Sequence, residues 1–162
     1  MLVSVIIPYF NDELNINKSV SSALDQTYKK IEILIIDDEN TIHSKNILKK
    51  FKNIKKIKIL KNTTNSGVAF TRNKGIKNSK GKLIAFLDSD DYWKKNKIEE
   101  QVLVFKKHNI DVCYTNYYGF KNNNKILYKV RPPNKMNFKK FLYECPISCS
   151  SVVLKKKLLI NN

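Results

Sequence analysis

Leu83-Ile84-Ala85-Phe86-Leu87-Asp88-Ser89-Asp90-Asp91 runs five apolar residues without a polar break into three carboxylates. A run apolar at both alternating positions fits a central strand covered on both faces, because a sheet with one wet face carries a polar residue at every second place. The carboxylates then stand at the strand's C-terminal edge, where open α/β sheets bind their ligands. Clustered carboxylate oxygens suit a hard cation such as Mn²⁺ or Mg²⁺ that bridges to phosphate. An isolated Asp-Ser-Asp-Asp reads equally as a solvated turn, and the wider sequence favours the ligand site.

Acidic residues are scarce in this chain: 14 Asp and Glu face 31 Lys and Arg, for a formal charge of +17. Five of the eight aspartates nevertheless fall in two clusters behind apolar runs, Asp37-Asp38 after Ile33-Leu34-Ile35-Ile36 and Asp88, Asp90 and Asp91 after Leu87. The positive charge consists of 29 lysines and two arginines scattered along the chain, without the aromatic interleaving of a single-strand binder, so nucleic acid is not an expected partner. Arginine is the residue that grips phosphate bidentately, which makes Arg72 conspicuous. Cys113, Cys145 and Cys149 show no paired spacing, so reduced thiols and a cytoplasmic location are expected. No run reaches the ~20 apolar residues of a membrane span. The lysine-rich surface could still lie against an anionic leaflet as a peripheral contact.

Working outward, residues 2–7 form an apolar strand that Pro8 is expected to stop, since proline cannot continue a central ladder. Ile16, Val20, Ala23 and Leu24 recur at helical spacing, giving a helix over 13–26 with Asn and Asp residues ahead to cap it. Residues 32–36 form the second strand. Ile42, Ile47, Leu48 and Phe51 mark a second helix, and 56–60 a strand nearer the sheet edge. Asn65-Ser66-Gly67 is a turn into a third helix over 68–77 that carries Arg72. A fourth helix follows the carboxylates through Ile98, Val102 and Phe105, then a strand over 111–116. This alternation requires a mostly parallel sheet with helices on both faces. Beyond residue 120 the pattern changes to a small antiparallel addition: a turn at Asn122-Asn123-Asn124, a strand over 125–130, a connector over 131–134, a short helix over 137–144 and a short strand over 150–154. The length is that of a single domain. His43 and His108 sit on helix surfaces without ligand spacing, and Tyr114, Tyr117, Tyr118 and Phe120 read as packing.

Val3-Ser4-Val5-Ile6-Ile7-Pro8-Tyr9-Phe10-Asn11, Asp37-Asp38, Asn65-Ser66-Gly67 with Arg72-Asn73, and Leu87-Asp88-Ser89-Asp90-Asp91 together resemble the family 2 glycosyltransferases of the GT-A fold, as does Gln26-Thr27-Tyr28. The resemblance is close to about Asp91 and looser to Leu154. It implies a Rossmann-like sheet and a metal-dependent transferase that passes sugar from a nucleotide diphosphate sugar, most often a uridine one, to a glycan or lipid-linked acceptor in cell-surface glycan synthesis. It divides the domain into a nucleotide-sugar-binding half over 1–116 and the start of an acceptor half over 117–162. Tyr9 and the chain beside Pro8 would hold the nucleobase, Asn11 counts among the nucleotide-sugar-binding residues, Asp38 would accept a base imide N–H, and Asp37 is the weaker of that pair. Asn65, Gly67 and Arg72 would face the nucleotide or its diphosphate. Asp88 and Asp90 match the Asp-x-Asp motif, with Asp88 near the ribose or the metal, Asp90 the foremost direct metal ligand and Asp91 in second rank, while Ser89 counts among the nucleotide-sugar-binding residues.

Two departures stand out. Glu39-Asn40 replaces the Gly-Ser pair that usually follows the family's two acidic residues. The family's Glu-Asp pair, whose carboxylate acts as general base, is expected beyond Asn162, so no catalytic base is assigned. Glu144 is the one acidic residue after Asp111 and makes a poor substitute at the end of its short helix. The resemblance therefore implies donor binding with weak transfer by residues 1–162 alone, down to a non-catalytic nucleotide-sugar-binding fragment. A phospho-acceptor receiver domain is the rival doubly wound fold, but its acidic pair would follow the first strand and it has no counterpart of Asp-Ser-Asp-Asp.

Overall fold

The computed structural model describes residues 1–121, 126–134, 139 and 143–160. The turn at Asn122–Asn124 and most of the helix expected over 137–144 lie outside the described residues. Four parallel strands, β1 (Val3–Tyr9), β2 (Ile31–Asp37), β3 (Ile57–Lys61) and β4 (Leu83–Phe86), alternate with helices α1 (Ile16–Leu24), α2 (Ile42–Leu48) and α3 (Gly67–Asn78). Helix α4 (Lys97–Lys107) follows β4, then β5 (Val112–Cys113), β6 (Tyr117–Phe120), β7 (Ile126–Val130) and β8 (Val153–Lys155). The main sheet has the order β3-β2-β1-β4-β8-β5, and β6 pairs with β7 in a separate antiparallel hairpin. This is the expected mostly parallel sheet with a small antiparallel addition. Among the described residues, no helix is long and apolar enough to cross a membrane.

Strand alternation sorts the core. Val3, Val5, Ile7 and Tyr9 of β1 face Ile16, Val20 and Ala23 of α1, Leu48 of α2, and Ile98, Val102 and Phe105 of α4. Ile6, Leu34, Ile36 and Ile84 point the other way, against Ile76 of α3. Helix α3 lies close because Gly75 faces Ile6; a Cβ there would come within 2.6 Å of Ile6 Cγ2. That close seat brings Arg72, one turn earlier, over the C-terminal ends of β1 and β4. Gln26 is fully buried and ties α1 to the chain behind the carboxylates: Nε2 donates to the Ser22 and Lys94 carbonyls, and Oε1 accepts the Ile98 N–H.

Three local expectations change. Pro8 lies inside β1, opposite Ile36 of β2, rather than ending the strand. The Tyr9 carbonyl accepts from Asp38 N–H on the β2 side and the Ile6 carbonyl from Leu87 N–H on the β4 side. The missing Pro8 N–H therefore points to the β4 side, past the last β1–β4 pair at Ile6 and Phe86, where no ladder bond is lost. Helix α1 has no side-chain cap: Asn15 Nδ2 donates to Asp12 Oδ1 instead, and Ile16 N–H goes to the Asp12 carbonyl. The third change is in the sheet itself. The strand expected over 111–116 shrinks to two residues at the sheet edge, and β8 inserts antiparallel between it and β4. The boundary expected near residue 116 thus does not divide the sheet, since β8 from the second segment completes it.

Candidate active site

A cleft of about 330 Å³ opens where the C-terminal ends of β1, β2 and β4 meet the N-terminus of α3, lined by Pro8, Phe10, Asp38, Gly67, Arg72 and Asp88 among others. Asp38 is its base. Its Oδ1 accepts from Ser66 N–H (2.8 Å) and Asn62 Nδ2 (2.7 Å), and Oδ2 from Gly67 N–H (3.0 Å). The carboxylate thus satisfies amides that the first turn of α3 leaves without helical partners, and it meets the positive end of the helix dipole. Gly67 takes φ +82°, a conformation that glycine adopts without strain, which lets the turn present these amides. Of the roughly four lone-pair sites of a carboxylate, three are used, which leaves one on Oδ2 of this cleft-lining residue. Asn65 and Val68 complete this end.

At the other end stands the carboxylate turn. Asp88 Oδ1 accepts a charge-assisted bond from Arg72 Nη2 at 2.5 Å, with both side chains mostly shielded. The Asp88 backbone is held on three sides: its N–H donates to Ser150 Oγ (3.0 Å), and its carbonyl accepts from Ser19 Oγ of α1 and from Asp91 N–H. Asp90 is exposed and lines the cleft with Ser89. Burial pushes the Asp91 carboxyl up, a hydrogen bond from Ser150 opposes that, and the Asp90 and Asp88 charges add to the rise. Trp93 anchors the far side, its Nε1–H donating to the Ser150 carbonyl at 2.8 Å.

Residues 4–160 match the model of Glycosyl transferase family 2. The chain belongs to this family. It is 42% identical over 158 residues to the Escherichia coli UDP-Glc:alpha-D-GlcNAc-diphosphoundecaprenol beta-1,3-glucosyltransferase WfgD, covering 98% of this chain and 62% of that protein. It is 33% identical over 158 residues to the putative teichuronic acid biosynthesis glycosyltransferase TuaG of Bacillus subtilis, covering 96% of this chain and 63% of the relative. Among solved structures, S. aureus TarS 1-349 in complex with UDP-GlcNAc superposes with a TM-score of 0.75 at 25% identity, covering 98% of this chain and 46% of that one. The chain thus spans just over 60% of the length of these two curated relatives, and less of several others. Family membership removes the receiver-domain alternative.

Of the family residues expected at the site, the cleft brings together Pro8, Tyr9, Asp38, Asn65, Gly67, Arg72, Asp88, Ser89 and Asp90. Tyr9 contributes there without its ring, which is fully buried in the core on the α1 face rather than open to a nucleobase. Burial, Glu39 and Asp37 push its hydroxyl up to about 12. The exposed aromatic is its neighbour Phe10, 52% accessible on the cleft wall. Asp37 turns to the opposite face, where its carboxylate accepts from Ser44 Oγ (2.9 Å) and from the Glu39 and Asn40 amides. It pins the start of α2. Asn11 is exposed outside the cleft lining, with φ 47° and its N–H on Glu39 Oε2. His43 pairs with Glu13 on the surface.

Sequence reasoning missed Phe10, Asn62, Val68, Thr71 and Ser150. Asn62 and Thr71 are buried and hydrogen-bonded to one another behind Asp38. Ser150 carries no local signal because β8 brings it to Asp88 across 62 residues of sequence.

The residues fit a divalent cation in a particular way. Among the described residues, no three His, Cys, Asp or Glu side chains converge as a metal set. Asp88 is engaged by Arg72, and Asp91 is turned toward Ser150. The oxygen donors left to the cleft suit a hard ion that shares one or two carboxylates with substrate phosphates, as Mg²⁺ commonly does. Arg72 fits an anion beside it: its Nε is buried and meets no partner among the described residues.

Proposed function

We propose that this chain forms the donor-binding part of a metal-dependent glycosyltransferase. It takes sugar from a uridine diphosphate sugar and serves transfer to a lipid-linked acceptor, such as a sugar diphosphate on a polyprenol, at the cytoplasmic face of a membrane. The observation that carries this reading is the cleft with Asp38 and the α3 amides at one end and Arg72 facing the Asp88–Asp91 turn at the other. The names of the E. coli relative and the TarS complex support the uridine donor and the lipid-diphosphate acceptor.

The open lone pair of Asp38 accepts the imide N–H of the base, while Phe10 and Val68 flank the ring. Arg72 leaves Asp88 for the diphosphate, its unpaired Nε–H supplying a second donor to a phosphate oxygen. Asp88 and Asp90 would hold Mn²⁺ or Mg²⁺ together with the diphosphate oxygens. When bound, the ion acts as a Lewis acid that neutralises charge on the departing nucleoside diphosphate. Ser150 and Ser19 keep the carboxylate turn in place during this exchange. Calorimetric titration of the protein with UDP, in Mn²⁺ and in chelator, tests the reading. Binding is expected in Mn²⁺ alone; equal affinity in both removes the metal, and binding in neither removes the nucleotide site.

A further inference from the structure

Beside the carboxylate turn, on the side away from α3, lysines and aromatic rings from four elements meet. Tyr92, directly after Asp91, packs its ring against Phe120 of β6, with centroids 4.9 Å apart at 60°. Lys18 of α1 holds its ammonium 3.7 Å from the Tyr92 centroid and 5.3 Å from that of Phe120. Lys94 and Lys129 lie 5.3 and 5.4 Å from the Tyr118 centroid. Each contact is a cation held by the negative face of a ring. Among the described residues, neither Lys94 nor Lys129 forms an ion pair. The ring contacts bias the three ammonium groups toward these positions before any ligand arrives, which lowers the rotamer entropy lost on binding.

The location gives the cluster a direction. Ser19, next to Lys18, bonds the Asp88 carbonyl, and Tyr92 continues the turn, so the cluster adjoins the diphosphate end of the cleft. A donor with its base at Asp38 and its diphosphate at Arg72 and Asp88 extends its sugar past this turn. We infer that Lys18, Lys94 and Lys129, with Tyr92, Tyr118 and Phe120, form the subsite that receives the acceptor as a sugar 1-diphosphate: ammonium groups take the phosphates, and the ring surface of Tyr92 and Tyr118 that the lysines leave exposed takes the sugar. This inference rests on the proposed function, which names the reaction but not where the acceptor sits.

The test is calorimetric binding of a water-soluble alkyl diphosphate of N-acetylglucosamine. It compares the parent, Lys18→Gln/Lys94→Gln/Lys129→Gln, and a control of equal charge, Lys52→Gln/Lys55→Gln/Lys77→Gln, whose lysines are exposed elsewhere. Three contacts, each of an exposed ion pair's size, predict about tenfold weaker binding in the first variant and a change within about twofold in the control. Arginine at the same three positions should restore affinity, because the charge and the ring contacts are kept. An equal loss in the control shows diffuse charge and overturns the subsite, as does an unchanged affinity in the first variant. Inorganic pyrophosphate that binds as tightly as the sugar ester overturns the role of the rings. UDP titrated into the parent with Mn²⁺ separates the two levels: a parent that takes no UDP removes the underlying reading, whereas one that takes UDP but shows no dependence on the three lysines overturns this inference alone.

Discussion

Replacing Arg72 by glutamine should raise the affinity of the nucleotide-free protein for Mn²⁺ while lowering its affinity for UDP. Arg72 Nη2 sits 2.5 Å from Asp88 Oδ1, so a cation that recruits Asp88 must first break this bond. Hydrogen bonds to charged groups contribute roughly 1.5–3 kcal/mol. With the two side chains 21% and 30% accessible, solvent screening reduces that to roughly 1–2 kcal/mol. Removing the guanidinium also removes a positive charge beside the ion, which acts in the same direction. At ~1.4 kcal/mol per tenfold, Mn²⁺ should bind about tenfold more tightly. UDP should bind about tenfold more weakly, because the diphosphate loses the donor freed when Asp88 takes the ion. Electron paramagnetic resonance of free Mn²⁺ during titration reads the first effect and calorimetry the second. Mn²⁺ affinity that falls or stays the same in Arg72→Gln would refute the idea that this pair competes with the ion.

Three further outcomes follow from the geometry. Asp38→Asn should cost roughly 1–3 kcal/mol of stability in urea unfolding, because its NH₂ must then face either the Gly67 N–H or the donors of Asn62 and Ser66, and the charge at the helix end is lost; an unchanged midpoint would show that the helix end does not need the charge. Ser150→Ala should weaken Mn²⁺-dependent UDP binding roughly fivefold, from the loss of about 1 kcal/mol of hydrogen bonding at the turn, and Ser150→Thr should restore it; equal binding in all three proteins would remove Ser150 from the site. Burial against Trp93 and Gln101 pushes Lys97 down to about 7 from 10.5. Between those values the unfolded chain binds more protons, so stability rises with pH, by about 2 kcal/mol from pH ~7 to ~9 at up to ~1.4 kcal/mol per pH unit. Lys97→Met should lack that rise when unfolding is followed through Trp93, the single tryptophan, and parallel pH curves for the two proteins would refute the burial effect.

Local pattern was enough for the alternating strands and helices up to β4 and for the sheet edge at which the cleft opens. Unbroken apolar runs at 33–36 and 83–87 mark strands buried on both faces, and carboxylates directly behind them fall at the sheet edge, since a strand's direction is set by its neighbours in the chain. Gly67 behind Asn65-Ser66 marks the turn into α3 because a positive φ there favours glycine. Which residues meet across that edge was decided by the tertiary structure. Asp37 and Asp38 differ by one position, and strand alternation sends them to opposite faces. The sequence order alone does not say that α3 covers the face of Asp38 and α2 that of Asp37. The same alternation buries the Tyr9 ring and leaves Phe10 at the cleft. Ser150 and β8 reach Asp88 and β4 through pairing across more than 60 residues. A three-residue strand has too little periodicity to announce its partner, and an antiparallel insertion between β4 and β5 becomes favourable only once both edges exist to satisfy its backbone groups.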